Sequence, residues 1–192
     1  MSVIDKVIAA VTPPESQQAR VEARQRARSL AQPGTWLAMV IEHHEMIESA
    51  FDAVERASTA DERRAAQKWL QIVFNGHSIA EEAVLYPAMA SHGEKGRAEL
   101  AYQEQSAAKG ETAALEELDP MSEDYRDKLG HIRGAVAHHM FEEESNFLRK
   151  LYEHVSPETM NRLTQRYKEE FTRYVGNDTP ESVKSAYRPA TP

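Results

Sequence analysis

Residues 77–82 read His77-Ser78-Ile79-Ala80-Glu81-Glu82, and residues 139–144 read His139-Met140-Phe141-Glu142-Glu143-Glu144. On a helix, residues four apart share a face, one turn above the other. Each segment therefore projects one imidazole and one carboxylate to the same side. Both pairs fall on stripes that are otherwise apolar. Leu70, Val73, Phe74, Val84 and Leu85 accompany His77 and Glu81, while Ile132, Val136, Met140, Phe147 and Leu151 accompany His139 and Glu143. Buried charges without a partner are costly, so ionisable groups on inward stripes need one another. A metal ion satisfies them together. The pattern predicts a helical bundle built to hold one or two metal ions.

Bulk properties narrow the reading. The 192 residues show no repeat, which favours one domain with extensions. There are 23 Lys and Arg against 31 Asp and Glu, a net charge of −8. A nucleic-acid partner would call for a basic face. No stretch of 18 apolar residues is present to span a membrane. The start, MSVIDKVIAAVTPPES, lacks the basic lead and long apolar run of a secretory signal, so a cytoplasmic location is expected. The chain has no cysteine, so a metal must take His and carboxylate ligands, a set that suits iron, manganese or zinc.

The whole chain reads as helix, rich in Ala, Glu, Arg, Gln and Leu. Residues 1–11 predict a short helix. Thr12 as N-cap, Pro13 in the first turn and Glu15 in a capping box predict an Arg-rich second helix over 13–31, too polar to be central. Gln32-Pro33-Gly34 breaks it. Four longer helices follow. The first runs from Trp36 to Arg56, with Leu37, Val40, Ile41, Ile47, Phe51 and Val54 inward. Thr59 and Glu62 form a capping box for the second, which runs through Trp69 and which Pro87 should bend or end. The third spans Arg97 to Leu118, with Leu100, Ala101, Ala108, Thr112, Leu115 and Leu118 inward, and the fourth ends near His154. Short connections favour antiparallel neighbours. The expected fold is all-α, an up-down-up-down four-helix bundle over 34–155. An N-terminal helical extension (1–33), an amphipathic C-terminal helix (156–175) and a mobile tail (176–192) complete the chain. Met160, Leu163, Tyr167, Phe171 and Tyr174 share one face of the C-terminal helix, which should pack on the bundle or on a second copy in a homodimer.

Facing helices then bring candidate ligands to one level. The second helix offers His77 and Glu81. The fourth offers His139 and Glu143 in preference to His138 and Glu142, whose stripe leads to Ser145 and Arg149. The first offers His43, aligned with Val40, Ile47 and Ala50, or His44, aligned with Leu37, Ile41, Ile47 and Phe51. His131 lies two turns before His139, about 12 Å along the helix, too far for the same ion. It is a candidate only for a position outside the first. His92, in a loop, and His154, at a helix end, are expected to stay out of the site.

These residues resemble the hemerythrin-like, or HHE cation-binding, family. IEHHEMIESAF (41–51) resembles its first motif, and the spacing to Ile47 and Phe51 fits His44. HSIAEEAVLYPAM (77–89) resembles the second through Leu-Tyr-Pro, and HHMFEEESNFLRKL (138–151) the fourth, although Arg149 stands where the family often has Pro. The likeness covers roughly 36–153. It implies a four-helix bundle with a non-haem di-iron centre. His44, His77, Glu81, His139 and Glu143 would be ligands, and zinc or manganese would be alternatives to iron. The third motif departs: AYQEQSAAK (101–109) has Gln105 where the family has His. Gln binds metal more weakly, through its carbonyl oxygen. The site then keeps two ions with an open position, holds one ion, or recruits another residue, for which Tyr102 is the nearest candidate.

The resemblance implies a protein that binds or senses oxygen or a related small ligand, nitric oxide or peroxide. Two other classes stay open at this point: a metal-dependent oxidoreductase of oxygen or peroxide, and a non-catalytic metal-stapled interaction or iron-sensing module.

Overall fold

A computed structural model describes residues 15–176. The chain forms α1 (Gln17–Leu30), α2 (Trp36–Arg56), α3 (Ala60–Ala80), α4 (Lys95–Ala114), α5 (Glu123–Glu142) and α6 (Pro157–Val175). Two of these continue past a π-helical turn. After α3 come the turn Glu81–Leu85 and a helix Tyr86–Ser91. After α5 come the turn Glu143–Phe147 and a helix Leu148–His154. No strand occurs among the described residues. The all-α bundle is as expected.

Local chemistry sets the helix ends. Thr59 and Glu62 form the expected capping box on α3. Ser16, Ser122 and Ser156 cap α1, α5 and α6 with their hydroxyls. Gly34 and Gly93 take positive φ (79° and 92°) where the chain turns after α1 and before α4, a conformation that suits a residue without Cβ. Buried Arg63 donates to the carbonyls of Val54, Ala57 and Pro120. It satisfies the open end of α2 and ties it to the turn before α5.

The structure departs from the expected start of α1 and from the inward place of Leu100, and it decides the outcome at Pro87. α1 begins at its Ser16 cap, not at residue 13, and Glu15 pairs with Arg20 and His138. Of the two outcomes expected at Pro87, the helix does not end there: Pro87 falls in the first turn after the π turn, where its missing N–H is tolerated, and helical geometry runs on to Ser91. Leu100 is exposed, not inward. The helix over 1–11, the Thr12–Pro13 start and the tail after Gly176 lie outside the described residues.

The core comes in two apolar clusters. One gathers Trp36, Leu37, Val40, Ile41, Leu85, Met89, Leu148 and Leu151. The other gathers Ile47, Phe51, Val54, Leu70, Val73, Phe74, Ile132 and Met140. Along α2, His43 and His44 fall between the two clusters. Along α3 His77 does so, and past the end of α5 the buried Glu143 and Glu144 do, between Met140 and Phe147, while His139 stands one turn earlier beside Met140. A buried polar layer therefore crosses the bundle at mid-height. α6 packs its apolar stripe on this bundle: Leu163 and Tyr167 are buried, with Met160 and Phe171 against the same cluster.

Candidate metal centre

His44, His77, Glu81 and Glu143 converge at that level. All four are buried, and each offers one ligand atom within 4.8 Å of the others. His44 Nε2 lies 3.2 Å from Glu143 Oε2, and His77 Nε2 lies 3.1 Å from Glu81 Oε2. Neither imidazole nitrogen, nor Glu143 Oε2, nor Glu81 Oε1, has a hydrogen-bond partner. Buried polar atoms are nearly always paired. Here four point at a common space, two imidazole nitrogens and two carboxylate oxygens, as a divalent transition metal requires. The donor set fits a metal cofactor.

The outer nitrogens of these rings are held. His44 Nδ1 meets Glu144 Oε1 at 2.8 Å, and Arg24 on α1 donates to the same oxygen at 2.8 Å and to Glu48 at 2.6 Å. His77 Nδ1 meets the Tyr167 hydroxyl at 3.1 Å. A metal-bound His usually has such a partner, which sets its tautomer and ring plane. Burial pushes the His44 imidazolium down, but Glu143 and Glu144 outweigh it and raise the group to about 9. Burial likewise raises the Glu143 carboxyl, and His139 and His44 hold it well below the usual carboxylate range.

His139 stands just outside this group. Its Nε2 is 3.4 Å from Glu143 Oε1 and 3.2 Å from the Tyr86 hydroxyl, while its Nδ1 meets Glu104 at 2.9 Å. Tyr86 is fully buried, and its hydroxyl also lies 3.0 Å from Glu143 Oε1 and 3.2 Å from Glu81 Oε2. A phenol thus fills the space bounded by Glu81, Glu143 and His139. Glu81 and Tyr86 are five apart, about 140° apart around an α-helix. The π turn that starts at Glu81, closed by Tyr86 N–H to Glu81 O, brings them onto one side.

The remaining candidates divide clearly. Gln105 is buried; its Nε2 donates to Glu81 Oε2 at 2.6 Å, and its Oε1 is without a partner. His43 turns away from the four-residue group, and its Nδ1 meets Tyr167 at 2.9 Å. Burial, then His77 and His44, depress its pKa well below the ordinary value. Tyr102 donates to the Glu82 backbone carbonyl and is 37% exposed, so it is not in the group. His131 is exposed and belongs to no candidate ligand group among the described residues. His138 pairs with Glu15, and His92 and His154 bond backbone carbonyls in exposed positions. Sequence reasoning passed over Tyr86, Glu104, Arg24 and Tyr167. Tyr86 was quoted only as part of Leu-Tyr-Pro, and Tyr167 only as one member of an apolar stripe.

Comparison with known proteins places this geometry. A DNA nickase from Nostoc sp. (strain PCC 7120 / SAG 25.82 / UTEX 2576) is 27% identical over 92 residues, covering 48% of this chain and 26% of that protein. The chain thus spans about a quarter of that relative's length. No solved structure matches the chain. The family model for the hemerythrin HHE cation binding domain matches residues 36–151, from the start of α2 to the helix after the second π turn, and the chain belongs to that family.

Proposed function

We propose that this chain is a non-haem iron protein that binds or senses dioxygen or a related small ligand, nitric oxide or peroxide. The observation that carries it is the set of partnerless atoms of His44, His77, Glu81 and Glu143 in one buried space. Iron there would supply reversible one-electron exchange with such a ligand. The chain's own part is to keep the space small and dry between two apolar clusters, and to hold both imidazoles by their outer nitrogens.

The geometry favours one firmly held ion. The ground next to it, bounded by Glu81, Glu143 and His139, holds the Tyr86 hydroxyl, and Gln105 stands where the resemblance would put an imidazole. Protein purified without oxygen should carry about one tightly bound iron per chain, with an optical band that appears on admission of air. His77→Ala should lose most of it and His92→Ala none. Tyr86→Phe should raise the ratio towards about two. Zinc with a silent spectrum, or equal metal in His77→Ala and the parent, would sink the reading.

Charge argues against carrying a nucleic-acid role over from the Nostoc relative. Arg20, Arg24, Arg26 and Arg28 on α1 each face a carboxylate, and the net charge is −8.

A further inference from the structure

Tyr167 lies on α6, beyond the residues 36–151 that match the family. It is 0% exposed, yet its hydroxyl reaches two histidines, His43 Nδ1 at 2.9 Å and His77 Nδ1 at 3.1 Å. His77 Nε2 faces Glu81 and has no hydrogen-bond partner. For Nε2 to offer its lone pair to a metal, the ring proton must sit on Nδ1. That N–H then donates to the Tyr167 oxygen. The phenolic hydrogen is left to donate to His43 Nδ1, which accepts. His77 Nδ1, the Tyr167 hydroxyl and His43 Nδ1 are thereby all paired, and the direction of the chain is set from the metal end. The His43 ring is clamped in turn, its centroid 3.6 Å from that of Phe171 and 5.5 Å from that of Tyr167, both on α6.

We propose that Tyr167 is a positioning residue of the metal centre, fixing the tautomer and ring plane of His77, with His43 as the acceptor that orients the phenol. The inference rests on the reading that His77 binds metal. It makes α6 a working part of the centre and not only a cover for its apolar wall. Loss of such an outer partner typically costs about 10–100-fold in metal affinity.

The test uses the full chain and two probes: ferrous iron without oxygen, competed by a chromogenic chelator, and cobalt(II), whose visible bands report the ligand field. Tyr167→Phe keeps the ring and removes only the hydroxyl. It should weaken iron binding about 10–100-fold and alter the cobalt bands, beyond the loss of metal-free stability that follows from leaving His43 Nδ1 and His77 Nδ1 buried without a partner. Tyr174→Phe, near the end of the same helix and 45% exposed, removes a hydroxyl that meets Asn75 and no histidine, and should change neither. His43→Leu should weaken binding in the parent and add little in the Tyr167→Phe background. Met160→Ala loosens α6 without touching the polar trio. If it weakens metal binding as much as Tyr167→Phe at matched stability, the hydroxyl has no role of its own. Iron affinity in Tyr167→Phe within about twofold of the parent, with unchanged cobalt bands, overturns this inference and leaves the metal reading standing. A parent chain that takes up neither metal overturns both.

Discussion

At the residue scale, the metal-free site sets a pH dependence whose sign can be worked out. His44 is raised from 6.5 to about 9, so its stabilising contribution is complete below 6.5 and is lost as pH climbs through about 9. Glu143 is lowered from 4.5, so its contribution is present above 4.5 and is lost on acidification. Metal-free protein should melt highest between those two ordinary values and less well at alkaline pH. A bound metal displaces the His44 proton, so the loaded protein should gain stability from pH 6.5 to 9, and loading in weak buffer should release protons. Melting curves of both forms across that range check this. Parallel slopes would mean that His44 keeps its proton and is not a ligand. The choice between His43 and His44 was beyond sequence reading for a related reason. Consecutive residues differ by about 100° around the helix, and here both rings are buried, one towards the centre and one towards α6.

At the scale of elements, periodicity located the bundle helices well, because apolar residues at helical spacing mark the inward face whatever lies opposite. Two things escaped it. The π turns at Glu81–Leu85 and Glu143–Phe147 add a residue to a turn, which no 3.6-residue pattern registers. Tyr86 enters the site by that irregularity. The partner of each face was also hidden, since a stripe shows that a helix packs and not against what. Gly76 is an instance. It faces α6, and a Cβ there would sit 2.5 Å from Val175 Cγ2 and 3.4 Å from Tyr174 Cδ1. Gly76→Ala should therefore push the last turn of α6 outward and cost about 1–3 kcal/mol. It should also loosen metal through His77 next to it. Denaturant unfolding of the variant measures the first effect, and chelator competition the second. Unchanged stability would mean that the end of α6 yields freely.

At the scale of the whole molecule, the part shared with the family carries the candidate ligands, while Arg24 and Tyr167 come from outside it. The shared part was legible because its candidate ligands recur at fixed spacing. The flanking contributions were not, because a single Arg or Tyr on an amphipathic helix has no distinguishing pattern. Net charge argues one more outcome. At −8, with the named arginines of α1 paired, the chain should not retard duplex DNA in a gel at physiological salt, and retardation there would reopen a nucleic-acid role. The division of the core has its own bearing on how the chain unfolds. Two apolar half-cores meet across a plane of imidazoles and carboxylates, so their cooperativity passes through that plane. An ion binding both sides of it would act as a cross-link between two folding units. The metal-free chain should then melt in a broad or stepped transition, and the loaded chain in a single sharp one.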